Sequence, residues 1–239
     1  MFKVPKSKTT SKFRTPKTRS SRSIATMQSK GQRFEPAGIV FSKEGMALRK
    51  DLNFIDRLVL DFVSALDTTG SMYVIVSGYV SILFGRSRSS EDVDIIIGKQ
   101  DEDEFHAIWD AAVKGGFECL NASECETAYE EYFSRGIAVR FSRKGEFIPN
   151  IELKAVKTEL DSWVLGNRVK VVVNGRKQLF VSSIELQIPF KLLLGSEKDI
   201  EDAKYLYRLF REDLDMGLLD SFNRRLKTER KFRRFCALK

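Results

Sequence analysis

The chain has 239 residues, 42% apolar and 11% aromatic, enough to bury a sizeable core, which excludes wholesale disorder. Three cysteines (Cys119, Cys125, Cys236) without CxxC spacing and a single histidine, His106, exclude a disulfide scaffold, a zinc finger and a His-ligated metalloenzyme. The formal charge of +8 sits at the ends: residues 1–33 hold ten Lys and Arg and no acid, residues 218–239 are basic again, and the stretch between is net acidic.

Basic ends suit a polyanion such as RNA, and equally suit a solvated tail. There is no apolar run of about 18 residues, so no membrane span is expected. The N-terminus lacks the apolar centre of a secretory signal and the amphipathic stripe of a transit peptide. With its few, unpaired cysteines the chain reads as reduced and cytoplasmic. Residues 1–45 read as a basic, disordered tail, and whether the natural product includes them is open, because Met27 and Met46 are alternative starts.

Order is expected from about Ala47. Leu52, Ile55, Leu58, Val59, Phe62, Val63 and Leu66 recur at three- and four-residue spacing and predict an amphipathic helix. Tyr73 to Ser77 predicts a short apolar strand, Tyr79 to Phe84 a short helix stopped at Gly85, and Val93 to Ile97 a second buried strand. Asp101 to Lys114 predicts a helix whose first turn is acidic, as the helix dipole favours.

Beyond it, Phe117 to Leu120, Ile137 to Phe141 and Ile151 to Val156 predict strands, while Ser123 to Phe133 and Glu159 to Leu165 predict helices. Val169 to Val173 and Gln178 to Val181 flank Asn174-Gly175, a pair that tolerates positive φ and marks a hairpin. Ser182-x-x-Glu185 predicts a capping box opening a helix that ends at Gly195, Ser196-x-x-Asp199 opens the next, and a last basic helix is expected from Leu218 toward Phe235. The fold class is therefore α+β: a mixed β-sheet core flanked by helices over 46–183, then a helical module with a basic C-terminus over 184–239.

The stretch from Ser77 to Asp94 carries the chemistry. Asp92 and Asp94 are two apart at the start of a strand, so both carboxylates share one face. Ionised together they repel, and a hard, oxygen-preferring cation such as Mg²⁺ relieves that; alone, the pair also describes a solvated sheet edge. Ser77-Gly78 closes the preceding strand and opens a short helix, where backbone N–H groups can approach a phosphate and the Ser77 hydroxyl adds a donor. Arg86 and Arg88 lie in the loop between, within reach of phosphate oxygens.

The order Ser77-Gly78, Gly85, Arg88, Ser90, Asp92-Val93-Asp94 resembles the nucleotidyltransferase superfamily of polymerase β-like proteins, and most closely its prokaryotic and archaeal members related to abortive-infection toxins. Ser77 stands where that pattern has its first glycine, and Ser90 where it has threonine. The resemblance covers residues 72–98, and more weakly about 47–211. It implies a nucleotidyltransferase that moves a nucleoside monophosphate from a nucleoside triphosphate (ATP among the candidates) to a hydroxyl of RNA, tRNA or protein, with a small molecule such as an aminoglycoside as a further candidate acceptor.

The resemblance further implies Mg²⁺ or Mn²⁺ as cofactor, two ions about 4 Å apart at Asp92 and Asp94. It implies a third carboxylate on a later strand, for which Glu152, flanked by Ile151 and Leu153, is the candidate. It gives phosphate contacts to Ser77, Gly78, Arg86, Arg88 and Ser90. Lys198-Asp199 resembles a Lys/Arg-Asp element of the toxins, so Lys198, with Lys191 seven residues before it, is a triphosphate candidate. A cognate antitoxin is an implied partner. Two other classes stay open: a non-catalytic nucleotide- or RNA-binding module on the same fold, and a sugar-nucleotide enzyme using D-x-D, for which the chain lacks an extended Rossmann-like region before the two acids.

Overall fold

The computed structural model describes residues 38–42 and 45–236. In chain order these form β1 (Gly38–Ser42), β2 (Gly45–Arg49), α1 (Phe54–Asp67), β3 (Tyr73–Val76), α2 (Gly78–Leu83), β4 (Asp92–Ile97), α3 (Glu102–Lys114) and β5 (Phe117–Cys119). There follow α4 (Cys125–Thr127) with a π-helical continuation (Ala128–Phe133), β6 (Val139–Arg143), β7 (Asn150–Ala155), α5 (Glu159–Gly166), β8 (Val169–Val173) and β9 (Lys177–Val181). The chain closes with α6 (Ile184–Leu194), α7 (Glu197–Phe210), α8 (Met216–Leu226) and α9 (Glu229–Cys236).

The described strands make one mixed sheet in the order β1-β2-β8-β9-β3-β4-β7-β6-β5. The β2–β8, β9–β3 and β4–β7 pairs are parallel and the others antiparallel. Alternation assigns the faces. Val93, Ile95 and Ile97 of β4 and Ile151 and Leu153 of β7 enter the main core with α1 and α3. Ile96 and the β3 residues Val74 and Val76 meet Trp163, Leu186 and Phe222 in a smaller cluster on the other side. The C-terminal helices share the main core, through Ile188, Leu192, Ala203, Leu206 and Phe210.

Local chemistry explains most element ends. Asn53 with Asp56, Asp101 with Glu104 and Thr158 with Asp161 form capping boxes at α1, α3 and α5. Asn174 and Gly175 turn the β8–β9 hairpin at φ 52° and 70°. Gly195, at φ 75°, ends α6, and Ser196 caps α7 through the Asp199 amide.

Four expectations are corrected. Order starts before Ala47: β1 pairs antiparallel with β2, which buries Met46 and Leu48, and Gly45 lets β2 approach so closely that a Cβ there would stand 2.3 Å from the Lys170 carbonyl oxygen. The rest of the expected tail, residues 1–37, lies outside the described residues. The Ser182–Glu185 capping box does not form: Ser183 is the cap, the Ser182 hydroxyl donates to Gln187 Oε1 at 2.8 Å, and Glu185 accepts from the Asp215 amide. The segment ending at Phe133 is part π-helix. The final helix is two, broken where Lys227 turns left-handed at φ 57° and the Thr228 amide bonds the Asn223 carbonyl. No described helix is long and apolar enough to cross a membrane.

Candidate active site

The parallel register of β4 and β7 sets Asp92 beside Asn150, Asp94 beside Glu152 and Ile96 beside Lys154. Neighbouring strands lie about 4.8 Å apart, so the expected carboxylates Asp92, Asp94 and Glu152 come together on one sheet face. Lys154, two residues beyond Glu152, shares that face. Its Nζ is 2.6 Å from Asp94 Oδ1 and 2.7 Å from Glu152 Oε2. From β6, Arg140 donates to Glu152 Oε1 through Nε at 3.0 Å and Nη2 at 2.8 Å.

The side chain of Asp92 has no hydrogen bond or ion pair among the described residues. Burial, then the charges of Asp94 and Glu152, push its carboxyl above the usual range, with Lys154 and Lys198 opposing. Burial pushes Glu152 up as well, but hydrogen bonds and charge from Lys154 and Arg140 outweigh it and hold Glu152 below the usual range. Lys154 is raised: burial disfavours its charge, and Asp94 and Glu152 more than offset that.

The β3–α2 turn borders this row, since Val76 pairs with Asp94 across β3 and β4. Ser77 sits at φ 63°, ψ −132°, a region glycine occupies freely and serine does not. Its carbonyl accepts from Gln187 Nε2, itself fixed by the Ser182 hydroxyl. Gly78 is needed for space: a Cβ there would lie 2.7 Å from Arg88 Nη2 and 3.4 Å from Ser90 Oγ.

The cationic candidates divide between two places. Arg88 donates to the Gly78 carbonyl at 3.1 Å and grips Asp202 with Nε at 3.0 Å and Nη2 at 2.9 Å. Arg86 pairs with the same Asp202 and donates to the Lys198 carbonyl at 3.1 Å. Lys191, only 2% exposed, reaches Asp199 at 2.7 Å and Asp202 at 3.0 Å. Asp202 is fully buried, and despite burial these cations hold its carboxyl below the usual range. Three cations on two carboxylates leave the turn net positive. Lys198, in the first turn of α7, is exposed, and its charge is felt at Asp92.

Sequence reasoning missed Lys154, Arg140 and Gln187. For Lys154 a signal existed, because strand alternation puts it on the same face as Glu152. For Arg140 and Gln187 none did, because their partners lie on other elements. His106 meets Glu126 at 3.2 Å on the surface, away from this site, and Phe232 and Phe235 pack edge-on against Tyr207 while Arg233 and Arg234 stay exposed.

The donor set fits a hard cation: three carboxylates on one face, one of them, exposed Asp92, without a partner among the described residues, and no sulfur or imidazole among them. As the side chains stand, no group of three or more acidic, His or Cys side chains among the described residues is arranged to hold a metal, and Lys154 pairs with two of the three carboxylates.

No protein-family model and no curated protein matches the chain. Among solved structures, the chain is similar to a crystal structure of ANT(2'')-Ia in complex with adenylyl-2''-tobramycin. That likeness has 13% identity and a TM-score of 0.46, covering 70% of this chain and 95% of that one. A solution structure of the antibiotic-resistance factor ANT(2'')-Ia is similar at 15% identity and a TM-score of 0.45, covering 76% and 93%. At such scores the functional reading rests on this chain's own side chains.

Proposed function

We propose that the protein is a metal-dependent nucleotidyltransferase that moves a nucleoside monophosphate from a nucleoside triphosphate to an acceptor hydroxyl. The acceptor oxygen bonds to the α-phosphorus, the α–β bridging P–O bond breaks, pyrophosphate leaves with the electron pair, and the hydroxyl proton passes to solvent. Asp92 and Asp94, with Glu152 beside them, would hold Mg²⁺ or Mn²⁺, which supplies Lewis-acid stabilisation of the attacking and leaving oxygens. The Ser77 hydroxyl and the backbone N–H groups of the turn receive the phosphates, and Lys198 offsets charge on the leaving group. Arg86, Arg88 and Lys191 act through Asp202, holding the turn rigid and net positive, while Ser90 packs beside Gly78. The observation that carries this reading is the register that brings Asp94 and Glu152 side by side, with exposed Asp92, unpaired among the described residues, next to them and the Ser77–Gly78 turn at their border.

For the acceptor we favour RNA or tRNA. Arg224, Arg225, Arg230, Arg233 and Arg234 are exposed on α8 and α9, a surface suited to phosphates. A protein acceptor, and a toxin-like role with a cognate antitoxin, belong to the same proposal. The second reading, a non-catalytic nucleotide- or RNA-binding module, is favoured by one observation: Lys154 already supplies a cation to the carboxylate row.

The test is transfer of label from each α-³²P-labelled nucleoside triphosphate, with Mg²⁺ or Mn²⁺, into total RNA and cell protein. An Asp92→Ala/Asp94→Ala protein serves as control. Label that moves only with intact carboxylates supports the enzyme and names the acceptor class. Metal-independent nucleotide binding without transfer overturns it in favour of the binding module.

A further inference from the structure

Three acids and one lysine share the face formed by β4 and β7, with the lysine at one end of the row, beside Ile96. Lys154 Nζ bridges the two strands, 2.6 Å from Asp94 Oδ1 and 2.7 Å from Glu152 Oε2. Arg140 occupies only the other Glu152 oxygen, Oε1. Lys154 therefore covers one oxygen each of Asp94 and Glu152, two of the three carboxylates proposed to hold a divalent ion. We propose that Lys154 is a tethered cation that holds the carboxylate row when no divalent ion is bound and that must be displaced for the ion to bind. This rests on the nucleotidyltransferase reading only in placing an ion at Asp92 and Asp94.

The chemistry suits exchange. An ammonium is a compact charge on a flexible stem, bonded here to nothing but the two carboxylates. Its side chain is one-third exposed, so the head can swing to water without opening the core. A divalent ion brings twice the charge and engages several carboxylate oxygens at once. With neither present, Asp92 and Asp94 would face Glu152 with only Arg140, on Glu152 Oε1, paired to the row. One interaction then has two consequences of opposite sign: Lys154 stabilises the ion-free protein and weakens ion binding.

Manganese binding to the full chain, followed by the EPR signal of free Mn²⁺, tests this with wild type, Lys154→Met and Asp92→Ala/Asp94→Ala. Lys154→Met is expected to bind Mn²⁺ about tenfold tighter, the scale of a lost charge-assisted hydrogen bond, to melt lower in EDTA, and to recover with Mn²⁺. Equal or weaker binding by folded Lys154→Met overturns the lysine proposal alone. No carboxylate-dependent binding by wild type or Lys154→Met overturns the metal reading of the site itself. A measurement on wild type needs no variant: reductive methylation of Lys154, read by mass spectrometry, should accelerate on adding Mn²⁺, and an unchanged rate under saturating Mn²⁺ overturns the proposal.

Discussion

Gly78 and Arg88 touch in a way only glycine allows: a Cβ on Gly78 would stand 2.7 Å from the Arg88 Nη2 that bonds the Gly78 carbonyl. The tip of an arginine ordinarily moves aside at little cost. This one is held by two hydrogen bonds to buried Asp202, so the contact ties the β3–α2 turn to α7.

Two substitutions in that turn should separate stability from binding. Ser77→Gly relieves the backbone at φ 63° and should stabilise the protein by about 1 kcal/mol. It should also weaken triphosphate binding by deleting the hydroxyl. Gly78→Ala should destabilise by roughly 1–3 kcal/mol through overpacking against Arg88. Urea denaturation and nucleotide titration of both variants measure the pair of effects, and a less stable Ser77→Gly protein would contradict the strain assignment.

Buried Asp202 pairs with three cations, Arg86, Arg88 and Lys191. Asp202→Asn should cost roughly 3–5 kcal/mol, because buried Lys191 and the two arginines lose their shared partner. The sign with pH is fixed by its lowered carboxyl: the stabilisation is complete above the ordinary Asp value of 3.8 and is lost as pH falls below it. The melting temperature of wild type should fall below about pH 4, and the Asp202→Asn curve should be flatter there.

At Asp92 the signs reverse. Its carboxyl is raised, so the ion-free folded protein gains stability as pH falls from neutrality toward that raised value. Asp92→Asn should raise the melting temperature in EDTA while abolishing transfer activity. A lower melting temperature in EDTA would mean that Asp92 has a stabilising partner.

The legible part of the site was the local part. Alternation along Asp92-Val93-Asp94 and Ile151-Glu152-Leu153 assigned the carboxylates to one side of each strand from spacing alone, and Ser77-Gly78 marked the turn. The partners of the basic candidates were not legible. Arg86 and Arg88 find Asp202 across more than one hundred residues of chain, and nothing near them in sequence signals a buried acid. The β1–β2 hairpin was hidden for another reason: its short apolar run follows a basic stretch whose composition reads as tail.

The sequence by itself determined the elements and which way their side chains alternate, because hydrophobic periodicity, capping residues and the Asn174-Gly175 turn act within a few residues. Only the tertiary structure decided the register of β4 against β7. That parallel pairing joins strands separated by α3, by α4 with its π-helical continuation and by two further strands, so no local rule sets it. The register sets Lys154 beside Ile96, where its Nζ reaches both Asp94 and Glu152, and leaves Asp92 without a partner among the described residues.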